Sequence, residues 1–264
     1  MFACVWCKTH LSPVRSATLP YYRFSLRLAT ALIATIACCV YSGTSLAQIT
    51  VNKSVLEFNE DNLVQDVDIT NTGDYKIFLN LAAAKIKNPH TANPERIELK
   101  DPRTSPVIVS PKQVLIPPGQ RKRVRVILRK TPKNVDDVYR LAIKPFTGDV
   151  QIDSDRPPDA KSSAVKILLG YDILLLARPK NAVGKLAVKR TSKALWFKNT
   201  GNTNVLLRRM QQCNASGDEC EDLQPNRVYA GEVYKVDLPK KGGAKKYPVQ
   251  VWQAIGLKNT KKTY

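Results

Sequence analysis

After residue 47 this chain of 264 residues has a single histidine, His90, set in the loop-like run NPHTANP. A Ser-His-Asp or Cys-His site would hang on that one side chain, and no G-x-S-x-G elbow accompanies it. There is no P-loop and no G-x-G-x-x-G turn to cradle a phosphate. The acidic pairs Asp136-Asp137 and Glu221-Asp222 are neighbours in sequence and read as surface charge. Nothing here is the signature of an enzyme. Cysteine is equally scarce. Four of the six, Cys4, Cys7, Cys38 and Cys39, fall in the first 47 residues, which leaves Cys213 and Cys220. Two sulfurs with no histidine beside them supply half a tetrahedral shell, so neither a metal nor another cofactor is expected. No segment after residue 47 has the apolar period of a helix.

Acid is also in short supply. Asp and Glu number 22 against 42 Lys and Arg, a formal net charge of +20. Such a balance suits a nucleic acid, an acidic partner or an anionic surface. The basic residues are spread widely, however, and form no stripe interleaved with aromatics, so a nucleic acid is not expected as the partner.

The first segment is a leader. Lys8, Arg15, Arg23 and Arg27 precede the apolar run Leu28–Val40, and Ser45-Leu46-Ala47 has small residues at both recognition positions of a signal peptidase. Residues 1–47 therefore read as a secretory signal peptide cleaved after Ala47. The apolar run is shorter than the ~20 residues of a membrane span, so no stable membrane insertion is expected after cleavage. Without the leader the net charge is +16. Export fits the remaining cysteines. Cys213 and Cys220, close together around the polar NASGDE, suit a hairpin disulfide formed in an oxidising compartment.

What fills the rest of the chain is short alternating strands separated by Gly, Pro, Asn and Asp. Strands are predicted at 49–58, 63–70, 75–87, 107–110, 112–116, 124–128 and 138–146. A second series is predicted at 185–190, 194–199, 205–212, 227–238 and 247–255. Asn71-Thr72-Gly73-Asp74 and Asn199-Thr200-Gly201-Asn202 read as turns. Regularly spaced strands of this kind imply antiparallel sandwiches. A polar stretch at 145–163 reads as a loop, and Arg178-Pro179-Lys180-Asn181 as an interdomain connection. The predicted organisation is a signal at 1–47, one sandwich domain at 48–178 and a smaller one at 179–264.

One stretch stands apart. Ala164–Leu176, AVKILLGYDILLL, reads as a single long strand whose odd-numbered positions, Val165, Ile167, Leu169, Tyr171, Ile173 and Leu175, are all apolar. On pattern alone it is either a buried central strand or a strand built to complete a partner's sheet.

Several stretches taken together resemble the periplasmic pilus chaperones of chaperone–usher systems. They are Leu115-Ile116-Pro117-Pro118-Gly119 with Val124-Arg125-Val126, Asp137-Val138-Tyr139-Arg140-Leu141 through Lys144-Pro145, Phe58 through Val67-Asp68-Ile69-Thr70-Asn71, Ile173 through Arg178-Pro179, and Phe197-Lys198-Asn199-Thr200-Gly201-Asn202. The cysteine pair and the Val-Tyr-Arg stretch look more like the alternate branch, which serves colonisation-factor-type fimbriae. The resemblance implies an all-β protein of two immunoglobulin-like β-sandwich domains set at an angle, located in the periplasm. It implies fimbrial subunits and an outer-membrane usher as partners, with the chaperone lending a strand to the subunit. It assigns Val165, Ile167, Leu169 and Tyr171 to the donor strand. The better-known branch holds the subunit's terminal carboxylate with an Arg and a Lys. The corresponding positions here are Val55 and Leu174, so Lys53, two residues before Val55, is the candidate anchor. A different class also fits the sandwich pattern: an exported structural or adhesive component of a surface fibre.

Overall fold

The computed structural model describes residues 48–89, 91–146 and 169–264. The leader, His90, Val165 and Ile167 lie outside the described residues. Among the described residues there is no helix, and the fold is all-β as expected; no helix is long and apolar enough to cross a membrane.

Ten strands make a first sandwich: β1 (Ile49–Val51), β2 (Val55–Phe58), β3 (Val64–Asn71), β4 (Ile77–Lys87), β5 (Glu95–Glu98), β6 (Val107–Ser110), β7 (Gln113–Ile116), β8 (Arg121–Leu128), β9 (Asp137–Phe146) and β10 (Tyr171–Ala177). One sheet has the order β1-β3-β8-β6. The other has the order β2-β10-β9-β4-β5, with β7 also on β4. Eight strands make a second sandwich: β11 (Leu186–Arg190), β12 (Ala194–Asn199), β13 (Val205–Cys213), β14 (Cys220–Leu223), β15 (Asn226–Val228), β16 (Val233–Asp237), β17 (Val249–Ile255) and β18 (Lys258–Thr263). Their sheets run β11-β12-β16 and β14-β13-β17-β18, with β15 on β13.

Alternation explains the packing. In β8, Val124, Val126 and Leu128 turn inward, while Arg123 and Arg125 face water opposite Asp68 and Asp66 of β3. Arg125 Nε lies 2.9 Å from Asp66, and its hydrogen bonds hold the Asp66 carboxyl below the usual carboxylate range. A one-residue slip would put these charges inside, so the register is pinned. The inward sets of 49–177 gather into one hydrophobic core around Ile69, Leu79, Leu141 and Leu175. A separate core is built around Leu195, Phe197, Val205 and Val251. Cys213 and Cys220 face each other across the β13–β14 hairpin and are joined by a disulfide.

Two predicted strands are broken in the structure. Residues 49–58 are two strands, because the chain leaves one sheet at Asn52–Ser54 and joins the other. Residues 227–238 are also two, parted at Gly231, whose φ of 82° is the left-handed region open to glycine. Strands β5, β14 and β18 lacked an apolar alternation to predict them. Their partners β4, β13 and β17 hold them by backbone pairing.

Candidate functional site

The long apolar stretch does not form one continuous strand in the described residues. β10 begins at Tyr171, and Leu169 and Gly170 precede it outside any ladder. A Cβ at Gly170 would sit 2.7 Å from the Ile143 carbonyl, so the chain runs close against β9 here. From Tyr171 onward the odd-numbered side chains face the sandwich interior. Ile173 and Leu175 are buried, and Tyr171 packs against the same core with its hydroxyl donating to the Ile49 carbonyl at 2.9 Å. Tyr171 thus supports its own sandwich, in contrast to the free side chain expected of a donor. Leu169 is 56% exposed.

Pairing leaves part of β10 open. β9 runs antiparallel along the whole strand, from Tyr171↔Ile143 to Ala177↔Asp137. β2 runs parallel to it only over Leu174–Ala177, beginning where the Leu174 N–H donates to the Ser54 carbonyl at 3.1 Å. Among the described residues, the edge at Tyr171–Ile173 therefore carries no strand.

The outward face beside this edge is partly apolar and partly charged. Val55 and Leu174 are register partners, and both point outward without a basic group. Arg96 Nη1 reaches both Asp172 carboxylate oxygens at 3.2 and 3.1 Å, and its Nε donates to Glu98 at 2.9 Å. Arg140 donates to the Asp172 carbonyl at 3.2 Å. Further along the sheet, Phe78, Leu115 and Phe146 are cross-strand neighbours, all exposed, with the two phenyl rings 5.7 Å apart.

Lys53 lies in the link between sheets, not in a strand. Strand alternation therefore does not place it on the face of Val55. It is exposed, with Nζ 3.3 Å from Gln65 Oε1.

Where the sandwiches meet, polar groups interlock. The buried Arg178 guanidinium stands 3.2 Å from Glu57 of β2 and donates to Thr203 Oγ1. Asp136 accepts the Asn204 N–H at 2.6 Å and the Asn204 amide, and Arg227 donates to Asn204 Oδ1. Burial pushes the Arg227 guanidinium below its usual range. Only the Arg-Pro connection pointed to this junction in sequence. The cluster around Asp172 had no signal there, because Arg96, Arg140 and Asp172 come from three strands. Among the described residues, no group of three or more His, Cys, Asp or Glu stands together to hold a metal.

Two β-sandwiches, the first with an edge at Tyr171–Ile173 that carries no strand among the described residues, make this an all-β protein of paired sandwiches. Residues 48–183 match the family described as pili and flagellar-assembly chaperone, PapD N-terminal domain, and the chain belongs to that family. A CFA/I fimbrial protein of Escherichia coli is 24% identical over 161 residues, which is 60% of this chain. The chain spans 64% of the length of that relative. Among solved structures, the class 5 fimbriae chaperone CfaA is 17% identical with a TM-score of 0.56, covering 81% of this chain and 98% of its own. A chain from the complex of Salmonella enterica SafA pilin with the SafB chaperone is 13% identical with a TM-score of 0.55, covering 84% of this chain and 98% of its own. At these identities the likeness is one of fold.

Proposed function

We propose that the chain is a periplasmic, non-catalytic chaperone that captures incomplete fimbrial subunits by strand donation and delivers them to an outer-membrane usher. The observation that carries this reading is the edge at Tyr171–Ile173, which carries no strand among the described residues and follows in sequence the apolar-alternating Val165, Ile167 and Leu169. A subunit lacking its last strand would gain main-chain hydrogen bonds along this edge and seat those side chains in its groove. Each buried aliphatic side chain contributes roughly 1.5–3 kcal/mol before ordering costs are subtracted. Tyr171 then seats the start of the strand and does not enter the partner. The exposed Phe78 and Leu115 lie beyond β9 from the edge, on β4 and β7, and stay uncovered for a second partner, the usher, while the edge is occupied. Lys53, beside the start of β2, is the proposed holder of the subunit's terminal carboxylate. In this reading residues 1–47 are the signal, and the two domains part at Arg178-Pro179.

Co-expression with the cognate fimbrial subunit tests the proposal. The subunit should co-purify with the chain from the periplasm and resist protease only in its presence. Ile167→Asp should abolish capture, and Lys53→Ala should weaken it. If the subunit proves equally soluble and protease-resistant without this chain, the reading is overturned, and recovery of the chain itself in surface fibres would favour a structural fibre component.

A further inference from the structure

The two sandwiches differ in charge. Residues 179–264 hold 17 basic and six acidic residues, net +11, whereas residues 48–178 are net +5. Four of the six acids, Asp218, Glu219, Glu221 and Asp222, sit at the β13–β14 hairpin, on the five-stranded sheet. The opposite, three-stranded sheet carries Lys189, Lys198 and Lys235, with Asp237 in β16 and Glu232 just before it as the other two acids. Its outward row places Trp196 directly between Lys189 of β11 and Lys235 of β16, with Lys198 opposite Ala187 and Val233. Asp237, paired with Lys235 at 2.8 Å, is the one acid in these registers. Trp196, Ala187 and Val233 line an open groove of about 580 Å³ rimmed by Lys189 and Lys198, and Val233 is 54% exposed. The other tryptophan of this sandwich, Trp252, is differently placed: Lys261 Nζ stands 4.6 Å from its ring centroid and the Arg209 guanidinium 5.8 Å.

We propose that the outer face of β11-β12-β16 docks on a bilayer containing anionic phospholipid. An indole set among lysine stems is suited to the headgroup level, where its ring meets apolar matter and its N–H meets water. The ammonium groups around it meet lipid phosphates, and each basic residue near an anionic surface adds attraction that salt screens. Two surface features favour a lipid surface over a folded acidic protein: the half-buried indole lines an open groove, and the cations around it are lysines, which have no fixed fork geometry.

The test is co-sedimentation of the purified protein with vesicles of phosphatidylcholine alone or with 30 mol% phosphatidylglycerol. Binding should require the anionic lipid and fall steeply between 50 and 500 mM salt. The triple variant Lys189→Gln, Lys198→Gln, Lys235→Gln should bind on the order of 100-fold more weakly. Lys258→Gln, Lys261→Gln, Lys262→Gln, with the same net charge but on β18, should bind within about threefold of the parent. In a Trp252→Phe background, emission of Trp196 should shift to the blue on anionic vesicles. Equal loss in both triple variants would overturn the proposal in favour of net charge. Equal binding to neutral vesicles, no binding at all, or an acidic polyglutamate peptide that displaces the protein from vesicles and shifts Trp196 by itself would also overturn it.

Discussion

In the first sandwich the buried Asn71 amide donates to the carbonyls of Tyr75 and Ile116 at 2.7 and 2.9 Å, and its side-chain oxygen accepts the Gly73 N–H at 3.0 Å. In the second, Asn199 donates to the carbonyls of Thr203 and Val228 at 2.8 and 2.9 Å and accepts the Gly201 N–H at 2.9 Å. The main chain repeats the scheme. Gly119 and Gly231, at φ 68° and 82°, each donate to the asparagine carbonyl at 3.0 Å. The two sandwiches share a corner in which one buried side chain satisfies three backbone groups. Their last strands have nothing in common. β10 is largely apolar, mostly buried and, among the described residues, open along part of one edge, whereas β18 is KNTKKT, exposed throughout. Lysines along an exposed edge discourage another strand from adding. The scaffold is repeated; the apolar, partly open edge of β10 has no counterpart in β18 among the described residues.

The sharpest way to break this comparison is to charge the two sides of the open edge. Ile173→Asp puts a carboxylate into the first core and should cost more than about 4 kcal/mol in urea unfolding. Leu169→Asp, at an exposed position, should change stability by less than about 0.5 kcal/mol while subunit capture in a pull-down falls at least tenfold. Equal collapse of both variants would make the lead-in segment part of the core and end the distinction between edges.

The corners come next. Asn71→Ala and Asn199→Ala each remove the side-chain partner of two carbonyls and one amide, and each should lose roughly 3 kcal/mol. Similar losses would establish the corners as equivalent; a loss at one alone would reduce the repeat to shared geometry. Replacing Cys213 and Cys220 together by alanine should cost about 2 kcal/mol, because the loop they close is short. Capture by the first sandwich should persist in that variant, as read by the same pull-down.

The smallest effect is in alkali. Burial, reinforced by the neighbouring Asp137 charge, raises the Tyr139 phenol in the first sandwich, and burial raises Tyr229, Tyr234 and Tyr264 in the second. The folded chain then keeps protons that the unfolded chain loses near pH 10. Stability is whole below that pH and falls as pH rises through it. Melting temperatures between pH 8 and 11 should decline, and Tyr139→Phe should make the decline shallower.

Local pattern was enough to read most of the strands. Val107–Ser110 and Ala194–Asn199 are as predicted to the residue, because alternation of apolar and polar side chains is written in the chain itself. The two Asn-Thr-Gly turns and the proximity of Cys213 to Cys220 were legible for the same reason. Strands β5 and β18 were not, since their order comes from a neighbour's backbone and not from their own side chains. The donor residues were reached through resemblance, and Tyr171 shows its limit: the sequence could mark it apolar at the right period but not say which side of the sheet would claim it. The face shared by Lys53 and Val55 was misjudged for a related reason, because alternation stops where the chain changes sheets. By itself the sequence determined that this is an all-β chain, rich in base, and it raised the expectation of export from residues 1–47. Only the tertiary structure decided which strand edge stays open, where the Asp172 and Asn204 clusters assemble and which face of the second sandwich is basic. Those are properties of pairing between residues far apart in the chain, and a period of two carries no information about which strand lies alongside.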